Sequence, residues 1–238
     1  MNQKQLFFSI VIPAHNEENY ISETLNNIKS QNYPVNCYET VVVENGSTDK
    51  TFDLAKKFES EHIQVYSSTE KGVSKARNFG IQKIKTAGDW VVVLDADTVL
   101  KSEFLNDLNT YLQAKQNKNY AVGTTKLLPT PDSKKARLWF AFYDLCHKLF
   151  KVTYSIQIYK RSILNNIRYD ESMTRGEDLK LIKEALKFGQ FFFLNTQTVH
   201  TSTRRFEQVG WWKLFVNWTV LANLPYSIQK KFDYEVTR

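Results

Sequence analysis

The chain has 238 residues, of which 42% are hydrophobic and 24% charged, with a formal net charge of +7; that balance builds a packed globular domain and excludes a disordered or fibrous chain. Two cysteines, Cys37 and Cys146, exclude a disulfide scaffold and a cysteine-held structural zinc, and they fit a reducing compartment. The positive charge favours anionic partners, whether nucleotide phosphates, an anionic membrane surface or nucleic acid, without choosing among them.

The first apolar run, Leu6–Ile12, is stopped by Pro13. It lacks the small-residue cleavage site of a signal peptide and predicts a first strand at Phe7–Ile12. No stretch of about 18 apolar residues follows anywhere, so no transmembrane helix is expected. After the turn Pro13-Ala14-His15-Asn16-Glu17, Ile21, Leu25 and Ile28 recur at helical spacing, with Asn16 as the expected N-cap. Thr40–Val43 reads as a second strand, running into Glu44-Asn45-Gly46-Ser47. Gly46 permits a tight turn, and Ser47 is expected to cap the helix that carries Phe52, Ala55 and Phe58. Ile63–Tyr66 predicts a short third strand. Lys71-Gly72-Val73-Ser74 opens a helix expected to reach about Thr86, which Gly88 ends.

Trp90–Leu94 predicts a fourth strand, apolar and mostly β-branched, as a buried parallel strand requires. It runs straight into Asp95-Ala96-Asp97. Carboxylates two residues apart at a strand end lie on one side. Ligands of open α/β sheets collect beyond the carboxyl ends of the strands. A divalent cation bound through oxygens accounts for such a pair of anions. A plainer account also stands, in which one Asp caps the next helix and the other is solvated.

Further on, a helix is expected at Glu103–Lys115 and a strand at Tyr120–Leu127. Pro129 and Pro131 mark a boundary that divides the single domain into residues 1–127 and 128–205, with an aromatic tail at 206–238. Lys134–Phe150 reads as an aromatic-rich helix marked by Leu138, Phe142, Leu145 and Leu149, and Tyr154–Tyr159 as a strand. Thr174-x-x-Glu177 has the form of a capping box ahead of a helix bearing Leu179, Ile182 and Leu186. Phe191–Leu194 and Thr198–Thr201 read as short strands, and a helix follows from Phe206. Strands alternating with helices predict an α/β fold with a mostly parallel, Rossmann-like central sheet and right-handed crossovers. No G-x-G-x-x-G follows the first strand and no G-x-x-x-x-G-K-[ST] occurs, which argues against a dinucleotide dehydrogenase and a P-loop NTPase.

Five segments then stand together in order: V-I-P-A-H-N-E-E, V-V-V-E-N-G-S-T-D-K-T, K-G-V-S-K-A-R-N-F-G-I, V-L-D-A-D-T and G-E-D-L-K-L. Spread over residues 8 to 188, they resemble glycosyltransferase family 2, the inverting enzymes of GT-A fold. The resemblance implies a first half that binds a nucleotide sugar and a second half that binds the acceptor and performs catalysis. It places Pro13, Ala14 and Glu17 in the first nucleotide-contacting turn, and Glu44 and Asn45 at the base. Glu44 is one methylene longer than the usual Asp. Arg77 falls on the family's arginine for the base or a phosphate, against a plainer role as a helix-surface charge. Asp95, Ala96 and Asp97 fall on the D-x-D step, with Asp95 meeting the ribose or the metal and Asp97 binding a divalent ion, Mn2+ or Mg2+, that bridges a diphosphate. Asp178 falls on the catalytic base; its plainer role is that of an acid in the first turn of a helix. His200 falls where some GT-A enzymes supply a third metal ligand. Arg204 and Arg205 follow closely, a pair suited to clamp a diphosphate, against a plainer role as surface or lipid-facing charge.

The function expected is therefore metal-dependent, inverting transfer of a sugar from a nucleotide-sugar donor, taken as UDP-linked, to a hydroxyl of a glycan or lipid-linked acceptor. The competing readings are a sugar-1-phosphate nucleotidyltransferase and a basic nucleic-acid-binding domain. The first lacks its glycine- and arginine-rich loop here. The second lacks a recognised motif among scattered Lys and Arg, so nucleic acid is not an expected partner. The tail from Gly210 to Leu221 is apolar on nearly every face, and Pro225 stops it. Its tryptophans and nearby cations suit peripheral contact through 206–225 with the cytoplasmic face of a membrane, with the 138–150 helix joining it. The rival is an ordinary packed or dimer-forming helix.

Overall fold

The computed structural model describes residues 4–85, 88–225 and 228. β1 (Phe8–Ala14), β2 (Tyr38–Asn45), β3 (Ile63–Ser68) and β4 (Trp90–Leu94) run parallel in the order β3-β2-β1-β4. α1 (Ile21–Lys29), α2 (Thr51–Lys56) and α3 (Val73–Lys83) connect them. β4 is an unbroken apolar run, and β1 is apolar apart from Ser9, because both faces of the sheet are covered. Ile10, Ile12, Val92 and Leu94 enter one core cluster, while Val11, Val91 and Val93 enter another on the opposite face. Each such side chain contributes about 1.5–3 kcal/mol by leaving water. Gly80 lets α3 sit close on the sheet: a Cβ there would stand 2.5 Å from Val11 Cγ1.

The rest of the chain adds β5 (Thr98–Leu100), α4 (Phe104–Ala114), β6 (Tyr120–Thr125), β7 (Leu128–Thr130), α5 (Lys134–Phe150) and β8 (Ile156–Lys160). It ends with α6 (Glu177–Ala185), β9 (Gln190–Leu194), β10 (Val199–Ser202), α7 (Arg204–Val209) and α8 (Trp211–Asn223). β8 inserts between β4 and β6, antiparallel to both, and β9 lies parallel to β6 at the edge. The result is a seven-stranded, mostly parallel sheet beside a small sheet ordered β5-β10-β7. This is the α/β architecture expected from the sequence. No helix among the described residues is long and apolar enough to cross a membrane.

The helix starts differ from the sequence reading. α1 begins at Ile21, and Asn16 is no cap: it is left-handed at φ 53°, and its Oδ1 accepts from Thr48 N at 2.8 Å. Ser47 is no cap either, because α2 is preceded by Lys50 while Ser47 Oγ accepts from Asn16 N at 3.0 Å. The two polar residues fasten the loop after β1 to the loop after β2. The capping box at Thr174 is replaced by Gly176, left-handed at φ 71°, so that α6 starts at Glu177. β2 runs two residues further than expected and takes Glu44 and Asn45 into the sheet. α3 ends at Lys83, and its expected end at Thr86 lies outside the described residues. The final helix is two helices, split where Gly210 adopts φ 96°.

Candidate active site

β4 stops at Leu94, and Asp95, Ala96 and Asp97 turn the chain into β5. Two main-chain bonds hold the turn: Asp95 N donates to Ser155 O at 2.9 Å, and Thr98 N to Asp95 O at 3.0 Å. The turn opens onto a cavity of ≈ 860 Å³. That cavity brings together Pro13, Glu17, Arg77, Asp95, Ala96, Asp97, Asp178 and Arg204. They come from five places in the chain: the end of β1 with the loop after it, α3, the turn after β4, the start of α6 and the start of α7.

Two arginines organise the charge. Arg77, on α3, is buried; its Nη1 donates to Glu177 Oε1 at 2.7 Å and its Nη2 to Asp95 Oδ1 at 3.3 Å. Its guanidinium lies 5.2 Å from the Tyr169 ring centroid, and its Nε is buried without a hydrogen-bond partner. Arg77 therefore joins the D-x-D turn to the first residue of α6, and Asp178 is the next residue. Arg204, on α7, donates through Nη2 to both carboxylate oxygens of Glu17 at 3.2 Å and to Asp97 Oδ2 at 3.3 Å. Its guanidinium stacks over Tyr20 at 4.5 Å.

The carboxylates are under strain of charge. Burial, with Asp95 and Glu17 nearby, pushes Asp97 up to about 7, and Arg204 offsets only part of this. Asp178 is also pushed up to about 7, by burial first and by Glu177 second. Arg77 and the Leu179 N–H, which donates to Asp178 Oδ1 at 2.8 Å, pull the other way. Asp95 adds to the repulsion on Asp178, so the D-x-D turn and the start of α6 share one electrostatic site. A carboxylate poised near neutrality suits proton transfer.

Among the described residues, no three His, Cys, Asp or Glu side chains form a ready cage for a metal ion. Asp95 and Asp97 offer oxygen donors only, and the high proton affinity of Asp97 marks charge that its neighbours leave uncompensated. That donor set suits Mg2+ or Mn2+ completing its shell with phosphate oxygens and water. His200 is not brought into the cavity. Its neighbour Thr201 turns inward, bonding Thr98 Oγ1 at 2.9 Å and Ser155 Oγ at 3.0 Å. Strand alternation turns His200 to the other face, beside Lys101 and Asp132.

Ala14, Glu44 and Asn45 stand behind the cavity instead of lining it. Glu44 accepts from Ser67 Oγ at 2.8 Å and from Ser47 N. Asn45, with its amide oriented to satisfy its neighbours, donates to Ala14 O at 2.8 Å and accepts from Gly72 N at 3.2 Å. The pair fastens the ends of β1 and β2 to the start of α3.

The sequence reading missed two groups. Glu177 reads there only as part of a cap; its partner Arg77 is 100 residues away, and no local spacing signals that pair. Tyr143, Cys146, His147 and Phe150 form the α5 wall of the cavity. Their helical spacing was legible, but the stripe that stands out in the sequence, Leu138, Phe142, Leu145 and Leu149, is the exposed one.

Residues 9–184 match the family model described as Glycosyl transferase family 2. A dolichyl N-acetyl-alpha-D-glucosaminyl phosphate 3-beta-D-2,3-diacetamido-2,3-dideoxy-beta-D-glucuronosyltransferase of Methanococcus voltae is 29% identical over 206 residues, covering 76% of this chain and 63% of that protein. The poly(ribitol-phosphate) beta-N-acetylglucosaminyltransferase TarS of Staphylococcus aureus is 24% identical over 206 residues, covering 83% of this chain and 36% of its own. The chain thus spans less than two thirds of either relative's length. The crystal structure of S. aureus TarS 1-349 in complex with UDP-GlcNAc superposes with a TM-score of 0.67 at 20% identity, covering 94% of this chain and 69% of that one. The mannosyltransferase PcManGT from Pyrobaculum calidifontis, in complex with GDP-Man and Mn2+, gives 0.67 at 16% identity, covering 95% and 68%. These likenesses show the GT-A fold. With the family model matched over most of its length, the chain belongs to glycosyltransferase family 2.

Proposed function

We propose that the chain transfers a sugar, with inversion, from a nucleotide-sugar donor to a hydroxyl of a glycan or lipid-linked acceptor, and that the donor is UDP-linked. The observation that carries this reading is the single cavity lined by Asp95, Asp97 and Asp178, with Asp178 held near neutrality. Asp95 and Asp97 would hold a divalent ion, Mn2+ or Mg2+; when bound, it supplies charge neutralisation for the departing diphosphate. Pro13, Glu17, Ala96 and Arg204 border the donor. Ala14, Glu44 and Asn45 shape the loops behind it, and Arg77 keeps Asp95 in register with α6. Asp178 takes the proton of the acceptor hydroxyl as that oxygen bonds to the anomeric carbon, on the face opposite the diphosphate. His200 has no part in the metal site on this reading.

Relatives supply the choice of base: TarS is solved with UDP and with UDP-GlcNAc, whereas PcManGT is solved with GDP-Man and Mn2+. Neither the nucleotidyltransferase nor the nucleic-acid reading gains support from the family match. Peripheral membrane contact at 206–225, on the cytoplasmic face, is the setting proposed for the transfer.

The test is calorimetry of UDP and GDP with Mn2+ and with EDTA, followed by transfer assays with the nucleotide sugars of the base that binds. UDP should bind in a metal-dependent way, and Asp97→Ala should abolish that dependence. Asp178→Asn should keep UDP binding and lose about 10²–10⁴ in turnover. Unchanged turnover would remove Asp178 from the base role; tighter metal-dependent binding of GDP would overturn the choice of uridine.

A further inference from the structure

α5 and α8 pack side by side, and each has two working faces. Inward, Tyr143, His147 and Phe150 of α5 and Phe215 and Trp218 of α8 line the cavity. Between the helices the rings interlock, with Trp139 and Trp212 centroids 4.7 Å apart and those of Phe142 and Phe215 5.1 Å apart. Outward, Leu138, Leu145 and Leu149 on α5 and Trp212, Val216 and Val220 on α8 repeat at helical spacing. Each of these six is between 52% and 74% exposed. An apolar face of that extent calls for a partner.

The charge on the two helices and at their ends is predominantly positive. α5 exposes Lys134, Lys135 and Lys148, Lys151 follows directly, and α8 exposes Lys213. The only carboxylate within α5, Asp144, is buried, and α8 has none in its sequence. Asp132, ahead of α5, is paired with Arg137. A second copy of this face would set cations against cations. A surface of phosphates above hydrocarbon complements both features: the apolar residues enter the acyl boundary while the lysines reach the phosphates. Phe150, 72% exposed, belongs to the rim of this face and to the cavity lining, so the aromatic end of the cavity opens at its edge.

We propose that α5 and α8 together form one surface that lies on an anionic lipid bilayer, with the mouth of the cavity at its margin. This rests on the membrane setting proposed for 206–225 and deepens it by naming the lipid charge, the contacting residues and the place of the cavity mouth; it is independent of the donor chemistry.

The experiment is flotation of the full chain with vesicles of phosphatidylcholine alone and of phosphatidylcholine mixed with phosphatidylglycerol, at low and high salt. The wild type should float with the mixed vesicles at low salt and be released by high salt. Replacing Lys134, Lys148 or Lys151 by Ala should weaken binding about fivefold per lysine. Leu145→Ser combined with Leu149→Ser should abolish flotation, with UDP binding in Mn2+ unchanged because neither residue lines the cavity. A nitroxide-labelled lipid should quench tryptophan fluorescence, and Trp212→Phe should remove that component. Absence of flotation at low salt overturns the proposal whatever UDP does. So does equal binding to uncharged vesicles, or a dimer in light scattering that the two serine substitutions dissociate. Loss of UDP binding with flotation intact would instead count against the donor reading alone.

Discussion

At the end of the cavity beside β1 and β4, ion pairs hold the structure; at the end walled by α5 and α8, rings do. Arg77 and Arg204 each bridge two carboxylates, tying residues as far apart in sequence as Glu17 and Arg204. At the other end Phe206 packs against Phe140, Tyr143, Tyr154 and Trp211 with centroids 4.7–5.7 Å apart. Ion pairs in a polar cleft can be re-partnered when a charged ligand arrives. Packed rings have no such alternative and stay as they are. The difference teaches where adaptability resides: on the proposed function, the charged end would reorganise around a diphosphate, and the aromatic end would be the fixed wall against which an acceptor is placed.

Three substitutions or conditions bear on that contrast. Arg77→Met leaves the buried Glu177 without its partner and should destabilise the chain by about 3–5 kcal/mol in urea unfolding. A loss below 1 kcal/mol would mean that Arg77 does not organise the charged end. Phe206→Leu should cost about 1–2 kcal/mol through lost ring contacts while leaving UDP affinity in Mn2+ untouched. A parallel loss of UDP affinity would show that the two ends are not separable. The smallest effect concerns pH. Asp97, raised to about 7 from 3.8, binds a proton more tightly in the folded chain than in the unfolded one. Its contribution is therefore present at low pH and is lost as pH rises through 7. On the proposed function Mn2+ would take the place of that proton, so it should raise the melting temperature more at pH 8 than at pH 6, by at least about 2 °C. Asp97→Asn should flatten the difference.

Much of this was legible in the sequence, for reasons that differ by element. β4 falls where it was expected because five apolar residues lie between Asp89 and Asp95, and such a run has few other stable uses. The five segments shared with the family located Asp95, Asp97 and Asp178 because each sits at the end of an element whose pattern is strong. The cap readings at Asn16 and Ser47 failed for one reason. A short polar side chain serves a helix start and a loop staple equally well, and only the fold decides which donor it meets. His200 misled because residue type says nothing of facing; the Thr201 bonds to Thr98 and Ser155 set the alternation. The Arg77–Glu177 and Arg204–Glu17 pairs span 100 and 187 residues, beyond any local pattern.

The insertion of β8 between β4 and β6 governs how the enzyme can admit anything at all. A strand from beyond the Pro129–Pro131 boundary is stitched on both sides to strands from before it. A clamshell motion, in which two lobes swing apart about a hinge, would have to tear that seam. Traffic into the interior is left to rearrangement of surface segments over an unmoving floor, such as the approach to α6 around Gly176.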